Sequence, residues 1–146
     1  MTGVLYWTII KDGNPTGRAM ANRHYSARHY KDGRKVRLFI GPGEKLALLT
    51  PDKKALFAWR KCKYPGADGQ TGVNCTIFRN EGPLLSSELI LEAEQFAWEK
   101  WPGSRLYTYV DPTKILSTNP GYCFIKAGWI KNGLSKKGLI ILEKLP

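Results

Sequence analysis

VNCTIFRNEGPLLSSELILEAEQFAWEKWPGSRLYTYVDPTKILSTNPGYCFIKAGW, residues 73–129, is the run around which the rest of the chain is arranged. Val73 to Arg79 alternates branched or apolar residues with small polar ones and then meets Asn80-Glu81-Gly82-Pro83, which reads as a strand ending in a tight turn. Leu89, Ile90, Ala93, Phe96, Ala97 and Trp101 recur at three- and four-residue spacing. That spacing predicts a helix with one apolar stripe, and Glu88, Glu92, Glu94 and Glu99 fall largely off it. Ser86 or Ser87 is the expected cap at its start. Pro102-Gly103 stops the helix, and Leu106 to Val110 reads as a second strand. Strand, helix and strand fit within the roughly 30 residues that a right-handed crossover needs, so the two strands are expected to be parallel neighbours. The turn between them matters for chemistry. A helix N-terminus offers unpaired N–H groups and a partial positive charge, and Gly82 would let an anion approach the backbone, although a plain strand-to-helix turn needs the same residues.

Working outward, Val4 to Ile10 is a strand candidate broken by Lys11-Asp12-Gly13-Asn14-Pro15, and Thr16 to Ser26 permits a helix without requiring one. Val36 to Ile40 reads as a short strand. Lys45 to Leu49 and Ala55 to Lys61 flank Thr50-Pro51-Asp52-Lys53-Lys54 as a hairpin. Beyond Trp129, Lys131 to Gly138 reads as a turn-rich basic loop and Leu139 to Glu143 as a terminal strand. An antiparallel meander, then a crossover, then a last strand make an α+β fold. At 146 residues the chain is expected to form one domain, residues 1–146, with a core that needs no staples. Trp59, Trp98 and Trp101 are assigned to that core.

The formal net charge is +11. Its distribution is uneven: residues 1–63 hold 14 Lys/Arg against 4 Asp/Glu, a surplus of +10, while residues 64–146 hold 9 against 8. A basic half favours a polyanion through counterion release, and nucleic acid is the common one inside cells; solubility alone is the competing explanation. Three cysteines, Cys62, Cys75 and Cys123, form no C-x-x-C pair, so neither a zinc site nor a disulfide framework is expected and reducing cytoplasm is the natural compartment. Cys123 is expected to be a packed thiol. No metal site is evident. The amino terminus lacks a signal-peptide pattern and no apolar run reaches the ~18 residues of a membrane span, so a soluble intracellular protein is expected.

Arg23-His24-Tyr25-Ser26-Ala27-Arg28-His29-Tyr30 contains Arg-His-Tyr twice, five residues apart. That interval is poor for a His24/His29 metal pair on a helix face. The residue types instead suit an amine-bearing nucleobase: neutral His accepts a proton, Arg holds phosphate and Tyr stacks on a base. A basic loop with packed aromatics is the plainer alternative.

Arg79-Asn80-Glu81-Gly82-Pro83-Leu84 resembles the acyl-CoA pyrophosphate loop of the GNAT acyltransferase superfamily, with Arg79 and Gly82 matching and Leu84 departing. Asn119-Pro120-Gly121-Tyr122-Cys123-Phe124-Ile125-Lys126-Ala127-Gly128-Trp129 is similar to that superfamily's closing element. The resemblance implies a GNAT-like mixed sheet and a cofactor site at Arg79, Gly82, Ser86, Ser87 and Asn119. It also implies a proton donor at Tyr122, which otherwise packs in the core. Serines at a helix start need no function beyond capping, and Arg79 would otherwise be a surface charge.

His24-Tyr25-Ser26, Phe78-Arg79-Asn80-Glu81, Ser86-Ser87, Tyr109-Val110-Asp111-Pro112 and Asn119-Pro120-Gly121-Tyr122 together resemble the Mom family of phage DNA-modification proteins. Those GNAT-like enzymes convert adenine in DNA to an N6-methylcarbamoyl (acetamido) derivative that shields phage DNA from restriction. The resemblance implies double-stranded DNA as partner, the cytoplasm of an infected bacterium as location, and no membrane; a homodimer is compatible with it. It implies catalytic roles for Asp111, Tyr122, His24 and Tyr25, with Arg23, Arg28, His29 and Tyr30 on the nucleic acid. Asp111 or His24 would be the base; Asp111-Pro112 is also an ordinary turn opener. The donor is acetyl-CoA or another acyl- or glycyl-type compound. Simple acetyl transfer would give an amide, whereas the family's product carries a methylene on nitrogen. A conventional GNAT acetyltransferase acting on a small amine or a lysine, and a basic DNA-binding module with no reaction, are the alternative readings.

Overall fold

The computed structural model describes residues 5–23, 38–62, 69–113 and 121–146. The elements are β1 (Thr8–Ile10), α1 (Pro15–Arg23), β2 (Glu44–Leu49), β3 (Ala55–Lys61), β4 (Val73–Asn80), α2 (Ser86–Lys100), β5 (Leu106–Val110), α3 (Tyr122–Lys126), β6 (Ile130–Leu134) and β7 (Ile140–Lys144). They form an α+β fold on one seven-stranded mixed sheet, ordered β1-β2-β3-β4-β5-β7-β6. Strands β1 to β4 are an antiparallel meander, β4 and β5 are parallel, and β7 is antiparallel to both β5 and β6. The expected meander, crossover and last strand are therefore present in that order.

Each face of the sheet has its own apolar core. One gathers Phe57, Trp59, Val73, Leu106 and Leu142 beneath Leu89, Ile90, Ala93 and Ala97 of α2. The other packs Met20 and Ala21 of α1 on Ala47, Leu49, Leu56, Ala58 and Ile77. α1 starts because Asn14 accepts the Gly17 N–H through Oδ1 at 3.1 Å and Pro15 supplies a preset first turn. Three indoles tie α2 down by their N–H groups: Trp7 to the Leu89 carbonyl at 2.8 Å, Trp59 to the Ala93 carbonyl at 3.0 Å, and Trp129 to the Glu94 carboxylate at 2.8 Å. Trp59 and Trp101 are buried and Trp98 packs against the same core, as expected.

Five local expectations are corrected. Glu94 is buried, not on the solvent side of α2, because Trp129 and Lys144 both bind its carboxylate. The residue before α2 is Leu85, which makes no side-chain cap; Ser86 opens the helix instead of preceding it. Leu38 to Ile40 is not a strand, since Asp12 Oδ1 takes the N–H groups of Phe39 and Ile40. Part of the expected basic loop is strand β6, an edge strand paired to β7 with every side chain exposed, so it has no apolar alternation to read. β1 begins only at Thr8 because the Tyr6 and Trp7 N–H groups are held by the Glu92 carboxylate. Among the described residues no helix is long and apolar enough to cross a membrane.

Candidate functional site

The parallel ladder between β4 and β5 joins only Val73 to Leu106, Asn74 to Tyr107 and Cys75 to Thr108, although β4 runs on to Asn80 and β5 to Val110. The cause lies on the other side of β4. Its register with β3 shifts between Ala58 and Trp59, which pair with Ile77 and Cys75, leaving Thr76 as an extra, bulged residue. A bulge re-aims a strand and ends pairing. The Thr108 hydroxyl finishes the ladder by donating to the Cys75 carbonyl at 2.9 Å. Beyond that point no described strand pairs with the β5-side edge of β4, and ligands of crossover folds bind at such carboxyl ends.

From β4 the chain turns into α2 through a loop organised by Asn80. Its Oδ1 accepts the Gly82 N–H at 3.0 Å, while its Nδ2 donates to the Leu84 carbonyl at 2.7 Å and to Ser86 Oγ at 3.0 Å. The loop is also pinned to the β2–β3 hairpin, since the Glu81 N–H donates to the Lys54 carbonyl at 2.7 Å. Gly82 is needed for that packing: a Cβ there would lie 2.9 Å from Lys54 Cβ. Its place is thus against the hairpin tip. Ser87 is buried at the first turn of α2, and Ser86 is half-buried.

Arg79 points to the opposite face from α2. It pairs across the ladder with Leu56, a member of the α1-side core, while its neighbour Phe78 packs 5.2 Å from Phe57 on the α2 side. Its Nη1 donates to the Arg23 carbonyl at 2.9 Å and its Nε to Glu81 Oε2. Arg23 grips the same carboxylate with Nε and Nη2, each at 2.8 Å. The Arg23 and then the Arg79 guanidinium hold the Glu81 carboxyl down to about 2. Two residues expected on different ligands, Arg23 on nucleic acid and Arg79 on a cofactor, therefore share one anion. The expected pyrophosphate site is split between the two faces of the sheet.

At the end of β5, Asp111 Oδ1 accepts from the Thr113 N–H at 2.9 Å and from the Thr113 hydroxyl at 2.6 Å. This is the turn chemistry that Asp-Pro predicts, carried out at the mouth of the open ladder. Opposite, α3 is seated by Phe124, whose ring lies 5.9 Å from Phe78 of β4 and 4.9 Å from Trp129. Gly121 precedes it with φ 78°, and a Cβ there would stand 2.6 Å from Leu142, so the close approach needs glycine. Tyr122, the first residue of α3, is 55 % exposed and so is not in the core. Burial pushes the Cys75 and Cys123 thiols up, which keeps both as inert packed thiols.

His24, Tyr25, Arg28, His29, Tyr30 and Asn119 lie outside the described residues. Among the described residues no group of three His, Cys, Asp or Glu side chains is placed to hold a metal ion. Asn80 and Glu81 belong to the motifs quoted from the sequence, which give neither a role of its own. Asn followed by Glu-Gly-Pro is a signal for the Asn80 turn, but nothing local announces an Arg23–Glu81 contact across 58 residues. No family model, curated protein or solved structure matches the chain.

Proposed function

We propose that this protein is a GNAT-like DNA-modification enzyme of the Mom type, converting adenine to its N6-methylcarbamoyl (acetamido) derivative and so protecting phage DNA from restriction. The observation that carries the reading is the β4–β5 ladder that stops at Cys75 and Thr108 while both strands continue. It supports a ligand crevice at the same strand ends that carry residues of the resemblance: Ser86 and Ser87 after β4, Asp111 after β5, and Tyr122 on α3, with Arg79 on the other face of β4. The antiparallel meander and crossover agree with a GNAT-like sheet, and the basic first half supports DNA as substrate.

The chemistry follows from the substrate. The adenine amino nitrogen is a weak nucleophile, so its proton must leave to Asp111 or His24 as the new nitrogen–carbon bond forms and the donor's leaving group departs. Tyr122 protonates that leaving group. Duplex DNA hides the amino group, so the base flips out and stacks on Tyr25 or Tyr30. The donor is an acyl- or glycyl-type compound; acetyl-CoA alone would leave an amide rather than the methylene of this product.

The test is mass spectrometry of nucleosides from plasmid DNA of bacteria expressing the chain or its Asp111→Ala variant. A heavier deoxyadenosine is expected only with the intact protein, and unchanged duplex binding by the variant is expected beside it. Unmodified nucleosides from cells holding soluble protein would overturn the reading. The open ladder would equally serve a conventional GNAT N-acetyltransferase, which predicts acetyl-CoA binding and acetylation of a small amine or lysine with no change in DNA.

A further inference from the structure

We infer that Glu81 is a built-in stand-in for a nucleic-acid phosphate: its carboxylate fills, between Arg23 and Arg79, the place that a DNA phosphodiester takes on binding. This inference rests on the DNA-modification reading and concerns how that protein meets its substrate. The geometry is that of anion recognition. Arg23 offers Nε and Nη2 to the two Glu81 oxygens, each at 2.8 Å, and a guanidinium presents the same fork to carboxylate and to phosphate. Arg79 closes on the same Oε2, and its other arm is fixed on the Arg23 carbonyl at the end of α1. The second guanidinium is thereby aimed before any ligand arrives. Two cations face one carboxylate, so the cluster keeps a surplus positive charge.

The cluster is also reachable. Arg23 is 48 % exposed and Glu81 28 % exposed, and ion pairs of that exposure are weak enough to be exchanged for a better anion. Their position favours DNA over a donor phosphate. Both guanidiniums lie on the α1 face, away from α2, and Arg23 is followed directly by a segment that carries Arg28, Lys31, Arg34, Lys35 and Arg37 against Asp32 alone. Arg23 adjoins that basic run in the sequence, so a polyanion attracted by its charge is attracted to the Arg23–Arg79 pair as well. The Glu81 main chain is held by its N–H on the Lys54 carbonyl, so a displaced carboxylate stays within side-chain reach of the two guanidiniums and continues to oppose loosely held phosphates. Its effect would be to hold down indiscriminate DNA binding.

Fluorescence anisotropy with a short duplex oligonucleotide tests this, using the full chain, Glu81→Gln and Glu81→Gln/Arg79→Ala over a range of salt. Glu81→Gln is expected to bind the duplex about 10-fold more tightly, with the slope of log K against log salt steepened by about 1 to 2, as for one or two more neutralised phosphates. The double variant is expected to lose the gain. A brace role alone would leave Glu81→Gln equal to or weaker than the parent protein, and that result overturns the inference. A gain for desulfo-CoA with none for duplex would assign the pair to the donor and overturn it as well. Parent protein that binds duplex with no gain in the variant refutes only this inference, whereas no duplex binding by any form refutes the DNA reading beneath it.

Discussion

Glu94 is 1 % exposed on α2, where its carboxylate accepts from the Trp129 indole at 2.8 Å and from the Lys144 ammonium at 2.7 Å. Burial pushes its carboxyl up; the Lys144 and Trp129 hydrogen bonds only partly oppose this. Removing the carboxylate strands a buried indole N–H and opens a void, so Glu94→Ala is expected to lose about 2–4 kcal/mol in denaturant unfolding, and Glu94→Gln, which keeps an acceptor, less. The pH dependence follows from the sign. With the folded value above the unfolded one, the proton-linked stability is fully present below the ordinary carboxylate range and is lost as pH rises through the folded value. The stability of the parent protein relative to Glu94→Gln is therefore expected to be greatest in acid and to decline with rising pH, measured by urea midpoints across pH. In the sequence Glu94 looks like its neighbours Glu92 and Glu99, because its partners stand 35 and 50 residues away. Trp59 and Trp101 were legible because bulk and apolarity at core spacing need no partner to be named.

β4 is two half-strands joined at Thr76. Before the bulge it pairs with β3 and β5; after it, the described ladder is with β3 alone, and Ile77 and Arg79 face α1. Side chains alternate with a period of two, and Cys75 and Ile77 already pair with the adjacent Trp59 and Ala58, so deleting Thr76 would remove the bulge and leave Ile77 to Asn80 on the faces they hold now. The deletion is expected to leave the protein folded, read as a cooperative melting transition by circular dichroism, and to abolish adenine modification on the reading proposed above, because a β4 without its bulge is free to extend the ladder with β5 and close the crevice. A Thr76→Val variant, which keeps the residue count, is expected to remain folded. No sequence signal marked the bulge, since Thr76 suits a regular strand; the hairpin and crossover were legible because turn residues and helical periodicity are local. β6 escaped notice for the opposite reason: its pairing with β7 is backbone to backbone, and its side chains report only solvent.

For the whole molecule, the surplus charge belongs to the half that precedes the crossover. If that half contacts about four phosphates or more, duplex affinity is expected to fall by roughly 100-fold as salt rises fourfold, the counterion-release slope for that many contacts. Anisotropy titrations at several salt concentrations read it directly, and a flat dependence would return the +11 to a role in solubility. If the protein modifies adenine as proposed, modification should disappear over the same salt range, because a base cannot be flipped from DNA that is not held.

Residues near one another in the chain were enough to specify the α+β class, the β2–β3 hairpin, the β4–α2–β5 crossover and the basic half, because periodicity, turn chemistry and charge are carried by neighbours. Packing was required for the rest: the Arg23–Glu81–Arg79 cluster, the burial of Glu94, the Glu92 clasp on Tyr6 and Trp7, and the ladder that ends at Cys75. Each of these depends on groups brought together across the sheet or around its edge. Such contacts form only once two apolar faces have closed on their helices, and no spacing of residues along the chain encodes them.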